Sequence, residues 1–382
     1  MCILLSMRLC HFSDSHLGAG ENHPRRGETG LTVRQEDFVN AFIAAVDRII
    51  QLKPDLCIHS GDLFHTVRPI NRIMAIAAEQ LHRLAAEAGI PTVIIAGNHD
   101  APRQPRVGAA LEVFTRIENL HVAASGQLEV FELEPAIVYA LPHCLTPASV
   151  QDQLAKCQPE RESSSKHHIL VMHGVAAGMP EFSMADLAEQ ELPLDVMARF
   201  DYTALGHYHN SVQVGSRAWY AGATERLSQA ERDAAKGFIE VTLDPFDVVF
   251  HELSVRPMVD MKPIRASGKH GGEVVEEIRR ELSQVDSGDK VVRVTVSGVS
   301  PETLRTIPPE AIAELKDRAF AVDIRFEKEK VADDGATLGK SALGRLDKGF
   351  IEFLETTDLE GVDRERLVAK ALEYLQSDYT SG

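Results

Sequence analysis

From Arg8 to about Leu253 the chain repeats one pattern: a short β-branched or apolar run, a sharp turn holding Gly, Asp, Asn or His, then a helical stretch. Arg8–Ser13, Leu56–Ser60, Thr92–Ala96, Ile137–Leu141, His168–Met172 and Tyr202–Leu205 read as strands. Between the first two, Phe38, Phe42, Val46 and Ile49/Ile50 recur at helical spacing, and Ile70 to Ala88 behaves likewise. Alternation of strands with helices predicts an α/β fold. Beyond Val214 come shorter strand-like segments, Ala218–Ala221, Phe238–Leu243 and Val248–Leu253, as in a layered sheet with hairpins.

Pro257 and Pro263 bracket a change of character. A second unit follows, with a strand near Ile264, a helix over Glu273–Leu282, a strand over Lys290–Ser297, a helix over Glu310–Arg318 and a strand over Ala321–Phe326. The expected division is a core over 7–256, a small α/β domain over 257–330, a linker over 331–340 and two amphipathic helices over 341–378. Leu343, Leu346, Phe350 and Phe353/Leu354, then Leu367/Val368, Ala371/Leu372 and Leu375, form apolar stripes with little core of their own. They call for a surface to dock on.

Composition narrows the classes. The 382 residues are 44% hydrophobic, ample for a core, yet the apolar runs fall far short of the roughly 18 residues that cross a bilayer. Five scattered cysteines, Cys2, Cys10, Cys57, Cys144 and Cys157, show no C-x-x-C spacing and fit a reduced, cytoplasmic protein. The first strand starts after Met7, so Met7 is an alternative start to Met1. A net charge of −17 argues against binding nucleic acid by bulk charge. Its distribution is uneven: residues 1–126 hold 13 acids and 12 bases, and residues 127–382 hold 44 acids and 28 bases. Any nucleic-acid affinity is then expected to be modest and local to a cleft near the first motifs.

Five strand ends terminate in metal-ligand residue types: Asp14-Ser15-His16, Gly61-Asp62, Gly97-Asn98-His99-Asp100, His173-Gly174 and Gly206-His207-Tyr208-His209. Each alone has a bland reading, since a lone strand-end His is more often structural and Gly97-Asn98 is a turn dipeptide. Their coincidence is the signal, because reactive groups collect at the carboxyl ends of strands in α/β sheets. Carboxylate, imidazole and amide oxygen suit manganese, iron or zinc, and no thiolate set is present.

D-x-H, G-D, G-N-H-D, a strand-end His-Gly and G-H-x-H, in that order, resemble the calcineurin-like metallophosphoesterase superfamily. Phe12-Ser13-Asp14-Ser15-His16-Leu17-Gly18, Arg34-Gln35-Glu36-Asp37-Phe38, Gly61-Asp62-Leu63-Phe64-His65 and Gly222-Ala223-Thr224-Glu225-Arg226 look like its SbcD branch, the nuclease subunits of SbcCD-type DNA repair complexes. The resemblance implies a four-layer core of two packed sheets flanked by helices, a small capping domain and C-terminal helices that dock on a coiled-coil ATPase. It implies one metal held by Asp14, His16 and His209, a second by Asn98, His173 and His207, and Asp62 as the bridge. His99 would face the scissile phosphate, Asp100 would orient it, and His65 would lie near the substrate strand. Two divalent ions, manganese in the family, would polarise the phosphoryl group and activate the attacking water.

The resulting expectation is a DNA exonuclease and endonuclease acting on duplex ends and hairpins, as a homodimer with an SbcC-like ATPase. The alternative is a stand-alone phosphoesterase acting on a small phosphodiester or nucleotide, which needs only the five core motifs. A non-catalytic scaffold fits least, because the ligand set is intact. Arg25, Arg26, Arg34, Arg68, Arg72, Arg103 and Arg106 are the candidate phosphate contacts.

Overall fold

The structure, a computed structural model, describes residues 6–102, 107–134, 136–159, 166–178, 191–284, 288–316 and 320–328. The linker expected at 331–340, the helices expected at 341–378, and Arg103 and Arg106 lie outside the described residues. The first half of the core comprises β1 (Arg8–Phe12), α1 (Val33–Leu52), β2 (Leu56–His59), α2 (Asn71–His82), β3 (Thr92–Ile95), β4 (Leu120–Ala123), β5 (Glu129–Glu132) and β6 (Ala136–Leu141). Then follow α3 (Pro147–Leu154), β7 (His167–His173), β8 (Val175–Ala176), β9 (Glu191–Leu192), α4 (Leu194–Met197), β10 (Tyr202–Gly206), β11 (Val212–Gly215), β12 (Ala218–Tyr220), β13 (Gly237–Leu243) and β14 (Phe246–Glu252).

These strands form two six-stranded mixed sheets, ordered β14-β13-β1-β2-β3-β4 and β11-β12-β10-β7-β6-β5. Within the first, β1 to β4 run parallel; within the second, β6, β7, β10 and β12 do. Period-2 alternation decides which face each side chain serves. Leu9, Ile58, Val93 and Ile95 of sheet one meet Val138, Ala140, Ile169, Val171 and Ala204 of sheet two in a buried interior. The alternate residues, Cys10, Phe12, Cys57 and Ile94, face α1 and α2 through Phe42, Val46, Ile49, Ala77 and Leu81. On the far side, Leu141, Leu170, Met172 and Leu205 pack on Val150 and Leu154 of α3 and Val196 and Met197 of α4. Four layers result, the fold class the resemblance implied.

Helix α1 begins where Thr32 and Gln35 close a reciprocal cap: Thr32 Oγ1 accepts the Gln35 N–H at 3.1 Å and Gln35 Oε1 accepts the Thr32 N–H at 3.0 Å. The helix expected to run to Ala88 loosens after His82 into a π-helical turn over Arg83–Glu87. Strands β4, β5 and β11 were not among the expected elements. Glu129-Val130-Phe131-Glu132 and Leu120-His121-Val122-Ala123 are four residues each and lie at sheet edges, where one neighbour suffices and the apolar run is short.

The second unit is a parallel sheet centred on β17 (Val291–Val299), with β15 (Met258–Asp260) and β16 (Ile264–Arg265) on one side and β18 (Ala321–Lys328) on the other. Helix α5 (Gly271–Ser283) buries Val274, Ile278 and Leu282 against Val292, Val294 and Val296. Arg256 ties the unit to the core: its guanidinium donates to both Asp37 carboxylate oxygens, at 2.8 and 2.7 Å, and to the Asp289 carbonyl at 2.7 Å. The same guanidinium lies 3.4 Å over the Phe320 ring.

Among the described residues, no helix is long and apolar enough to cross a membrane. Cys10, Cys57, Cys144 and Cys157 are buried, and burial pushes the Cys10 thiol up to about 12.

Phe42 is fully buried and its ring stacks on Phe12 with centroids 6.1 Å apart. Phe42→Ala should lower unfolding free energy by about 3–5 kcal/mol in a urea titration. A loss below about 1 kcal/mol would contradict this packing.

Candidate metal centre and catalytic cleft

The carboxyl ends of β1, β2 and β3 in one sheet, and of β7 and β10 in the other, open on the same edge of the sandwich. Glycines let the two ends touch. A Cβ on Gly206 would lie 2.1 Å from the Ser60 carbonyl oxygen, and one on Gly61 would lie 2.4 Å from His173 Nδ1. Across this contact His173 Nδ1 donates to the Ser60 carbonyl at 2.8 Å. The loops are turned sharply: Asp14, His16, Asp62 and His207 have φ of 50°, 43°, 55° and 104°. A left-handed backbone costs a non-glycine residue about 1–3 kcal/mol, and it persists only where surrounding bonds enforce it. Here the Asp14 and His16 N–H groups donate to the Gly61 and Asp62 carbonyls, each at 3.0 Å.

The resulting cluster brings all seven expected ligands together. His16 Nε2 lies 3.1 Å from His209 Nε2, and ligand atoms of Asp14, His16 and His209 fall within 4.8 Å of one another. Asp62 Oδ2 sits between His173 Nε2 at 3.4 Å and His16 Nε2 at 3.8 Å. Asn98 Oδ1 lies 2.9 Å from His173 Nε2 and 3.1 Å from His207 Nδ1. Asp14 is fixed by Ser13 Oγ, which donates to its Oδ2 at 2.6 Å, and by the His207 N–H at 3.1 Å.

This donor set fits divalent ions. Two imidazole nitrogens that approach to 3.1 Å match adjacent ligands on one ion, which at bond lengths of about 2.1 Å stand about 3.0–3.4 Å apart. Among the described residues, the buried His16 Nδ1 has no hydrogen-bond partner. The carboxylates draw positive charge inward. Burial disfavours the His173 imidazolium, but Asp62 beside it overcomes that effect and raises it to about 9. Burial likewise raises Asp62, but His173 and His16 hold its carboxyl well below the usual range. His16 is pulled well below its ordinary value by burial, with Asp62 opposing.

Beside the cluster, His99, His65 and His16 form a ring of imidazoles. His99 stacks on His65 with centroids 5.3 Å apart and meets His16 edge-on at 4.9 Å. His99 Nδ1 lies 2.8 Å from the His65 carbonyl oxygen, which only accepts, so Nδ1 carries the proton and Nε2 is the reactive nitrogen. His65 and His99 line a cleft of about 750 Å³ together with Thr66, Val67, Arg68, Asn98 and Pro102.

The geometry revises two expectations. Asp100 does not bond the His99 ring; its carboxylate accepts the N–H groups of Leu63, Phe64 and Gly97 at 3.0, 2.9 and 3.1 Å. It shapes the loop whose His65 carbonyl holds His99, so any orienting is indirect. Burial and the Asp62 charge push the Asp100 carboxyl up to about 7, against those three bonds. Arg34 is no phosphate contact. It is buried, with its guanidinium against Asp37 at 3.0 Å, Glu225 at 3.4 Å and the Arg226 carbonyl. Arg26 donates to the Gly30 carbonyl at 3.0 Å but is exposed, as are Arg68 and Arg72. His59 stays behind the site, its Nε2 3.0 Å from Ser15 Oγ.

Two residues that motif reading passed over stand behind His209. Glu231 Oε1 lies 3.1 Å from His209 Nδ1, and Lys236 Nζ lies 2.6 Å from Glu231 Oε2. Burial raises the Glu231 carboxyl, but the bonds from His209 and Lys236 bring it down to about 2.

Residues 7–211 match the profile of the Metallophos family, Calcineurin-like phosphoesterase. The chain belongs to this family and is a phosphoester hydrolase. Among its relatives is the DNA double-strand break repair protein Mre11 of Haloferax volcanii, 29% identical over 335 residues, covering 86% of this chain and 69% of that protein. The protein of the same name from Saccharolobus solfataricus is 23% identical over 97% of this chain and 96% of its own length. That from Methanococcus maripaludis is 28% identical over 61% of this chain and 62% of its own. A dimetal phosphatase from Danio rerio aligns over 62% of this chain and 92% of its own, with a TM-score of 0.34 at 10% identity.

Asp100→Ala would leave the N–H groups of Leu63, Phe64 and Gly97 buried without an acceptor. Thermal and urea unfolding should show a loss on the order of 3 kcal/mol. A variant as stable as the parent would remove Asp100 from this role.

Proposed function

We propose that this protein is a two-metal-dependent DNA nuclease that hydrolyses phosphodiester bonds at duplex ends and hairpins, in repair and recombination. The observation that carries the reading is the cluster in which Asp62 lies between His16 and His173, next to a His99 whose Nε2 opens on the cleft. The relatives named as DNA double-strand break repair proteins favour DNA over a small phosphodiester or nucleotide, as do the motifs shared with the SbcD branch.

In this reading Asp14, His16 and His209 hold one ion, Asn98, His173 and His207 hold the other, and Asp62 is shared. Manganese is the expected metal, with iron and zinc also compatible with these donors. When bound, the two ions supply Lewis-acid polarisation of the phosphoryl group and an activated water. The chain's own groups do the rest. With Nδ1–H fixed by the His65 carbonyl, protonated His99 has one proton to give, on Nε2, and delivers it to the leaving sugar oxygen. His65 braces the His99 ring by stacking, and Arg68 at the cleft wall offers its guanidinium to a strand phosphate.

Linear duplex DNA incubated with manganese should be degraded. His99→Ala should abolish cleavage while calorimetry still finds two bound ions; equal activity of that variant would remove His99 from the chemistry. Residues 7–256 are the nuclease core in this proposal, residues 257–330 the capping domain, and residues 341–378 the helices that dock on an SbcC-like ATPase, with the nuclease acting as a homodimer. Deleting residues 341–382 should end co-purification with that ATPase. Retention of the complex would refute the docking role.

A further inference from the structure

His209 presents two nitrogens to two different environments. Nε2 faces the cluster, 3.1 Å from His16 Nε2, and Nδ1 faces away, 3.1 Å from Glu231 Oε1. The other Glu231 oxygen accepts Lys236 Nζ at 2.6 Å and the Leu227 N–H at 3.3 Å. Lys236 Nζ then donates to the carbonyl oxygen of His209 itself, at 2.8 Å. A closed circuit results, from imidazole to carboxylate to ammonium and back to the same residue's backbone. It fixes both the ring and the peptide that carries it.

The circuit is expensive to build. The Lys236 side chain is fully buried and that of Glu231 is 13% exposed, and desolvating such ions costs several kcal/mol each. The turn that carries Glu231 is also held from outside. Gln229 Nε2 donates to Asp260 Oδ1 at 2.9 Å, and the Arg232 guanidinium pairs with Asp260 Oδ2 on β15. Arg226 braces it further through the Ala234 carbonyl at 3.0 Å and the Arg256 carbonyl at 3.2 Å. Glu231 is therefore anchored from two sides and pointed at one ring nitrogen.

We propose that Glu231 and Lys236 are positioning residues that hold His209 with Nδ1 protonated and the Nε2 lone pair turned inward, and so set how tightly the Asp14–His16–His209 corner holds a divalent ion. The inference rests on the reading of His209 as a ligand. A carboxylate behind a ligating imidazole restricts its rotation and raises its basicity, an effect worth 10–100-fold in metal affinity. Lys236 keeps that carboxylate in place and ties it to the His209 backbone, so loss of either partner should act on the same corner.

The test uses the full chain with Mn2+ alone. Calorimetric titration of the parent, Glu231→Ala, Glu231→Gln, Lys236→Met and His209→Asn separates the possibilities, with 15N chemical shifts of His209 in the metal-free protein as the second readout. Glu231→Ala should weaken one of the bound Mn2+ ions about 10–100-fold. It should also move the His209 proton from Nδ1 towards Nε2. Glu231→Gln keeps an acceptor for Nδ1 and should lose less affinity. If Glu231→Ala fails to fold, Glu231→Gln and Lys236→Met decide by the same two measurements. Folded variants with the parent's affinity and tautomer would overturn the inference and leave these residues a purely structural role. If His209→Asn binds Mn2+ as the parent does, the ligand reading itself fails and this inference falls with it.

Discussion

The hydrogen bond from His173 Nδ1 to the Ser60 carbonyl, 2.8 Å long, joins the carboxyl end of one sheet to that of the other. The site depends on this junction. His173 belongs to sheet two and Ser60 follows β2 of sheet one, so the contact brings Asp62 and Asn98 within reach of His173, His207 and His209. It can be this close because Gly206 and Gly61 present no Cβ; at either position a methyl would occupy space already filled. Beside this junction Asp14, His16, Asp62 and His207 adopt left-handed backbone, and the inter-loop N–H bonds from Asp14 and His16 help sustain it. Ligand placement is thus a property of two meeting sheet edges more than of any one loop.

Much of this was legible in the chain. The apolar run before each of the five turns located the strands to within a residue or two, because buried parallel strands are nearly all apolar and stop abruptly at Gly, Asp and His. The candidate cluster was legible for the same reason: those turns place Asp, Asn and His directly after strands. What escaped was whatever depends on distant partners. Glu231 and Lys236 lie 22 and 27 residues beyond His209, in a segment that reads as an ordinary polar turn. Arg34 looked like a phosphate contact because a lone arginine near a motif carries no mark of the Asp37 and Glu225 that neutralise it. Asp100 sits one residue from His99, and adjacency suggested a bond that the loop geometry sends elsewhere, to the backbone around Leu63.

The acidity of the chain reads differently once its charges are located. Asp14, Asp62 and Asp100 are buried at the site, two in contact with imidazoles and one with backbone donors. Asp37 and Glu225 are neutralised by Arg34 and Arg256, and Asp260 by Arg232. These carboxylates add to the formal charge of −17 without projecting it into the cleft, whose wall at Thr66, Val67 and Arg68 carries no acid. Net charge is a poor guide to a polyanion's view of such a surface, because burial and pairing screen charges selectively.

Between the sheets, in an interior otherwise apolar, His11 joins Tyr202 Oη at 2.8 Å to Ser60 Oγ at 2.8 Å. Burial holds the imidazole neutral, its pKa down near about 3, so both nitrogens are committed, one as donor and one as acceptor. Apolar burial is non-directional, whereas this hydrogen-bonded triad is directional and works as a shear key. A slip of one residue, about 3.3 Å along a strand, would strand both ring nitrogens. Each buried group left unpaired costs about 1–3 kcal/mol. The two halves of the candidate metal site are therefore kept in phase by a lock set inside the sandwich, on the residue next but one before Ser13 and one residue from the glycine that begins the Asp62 turn.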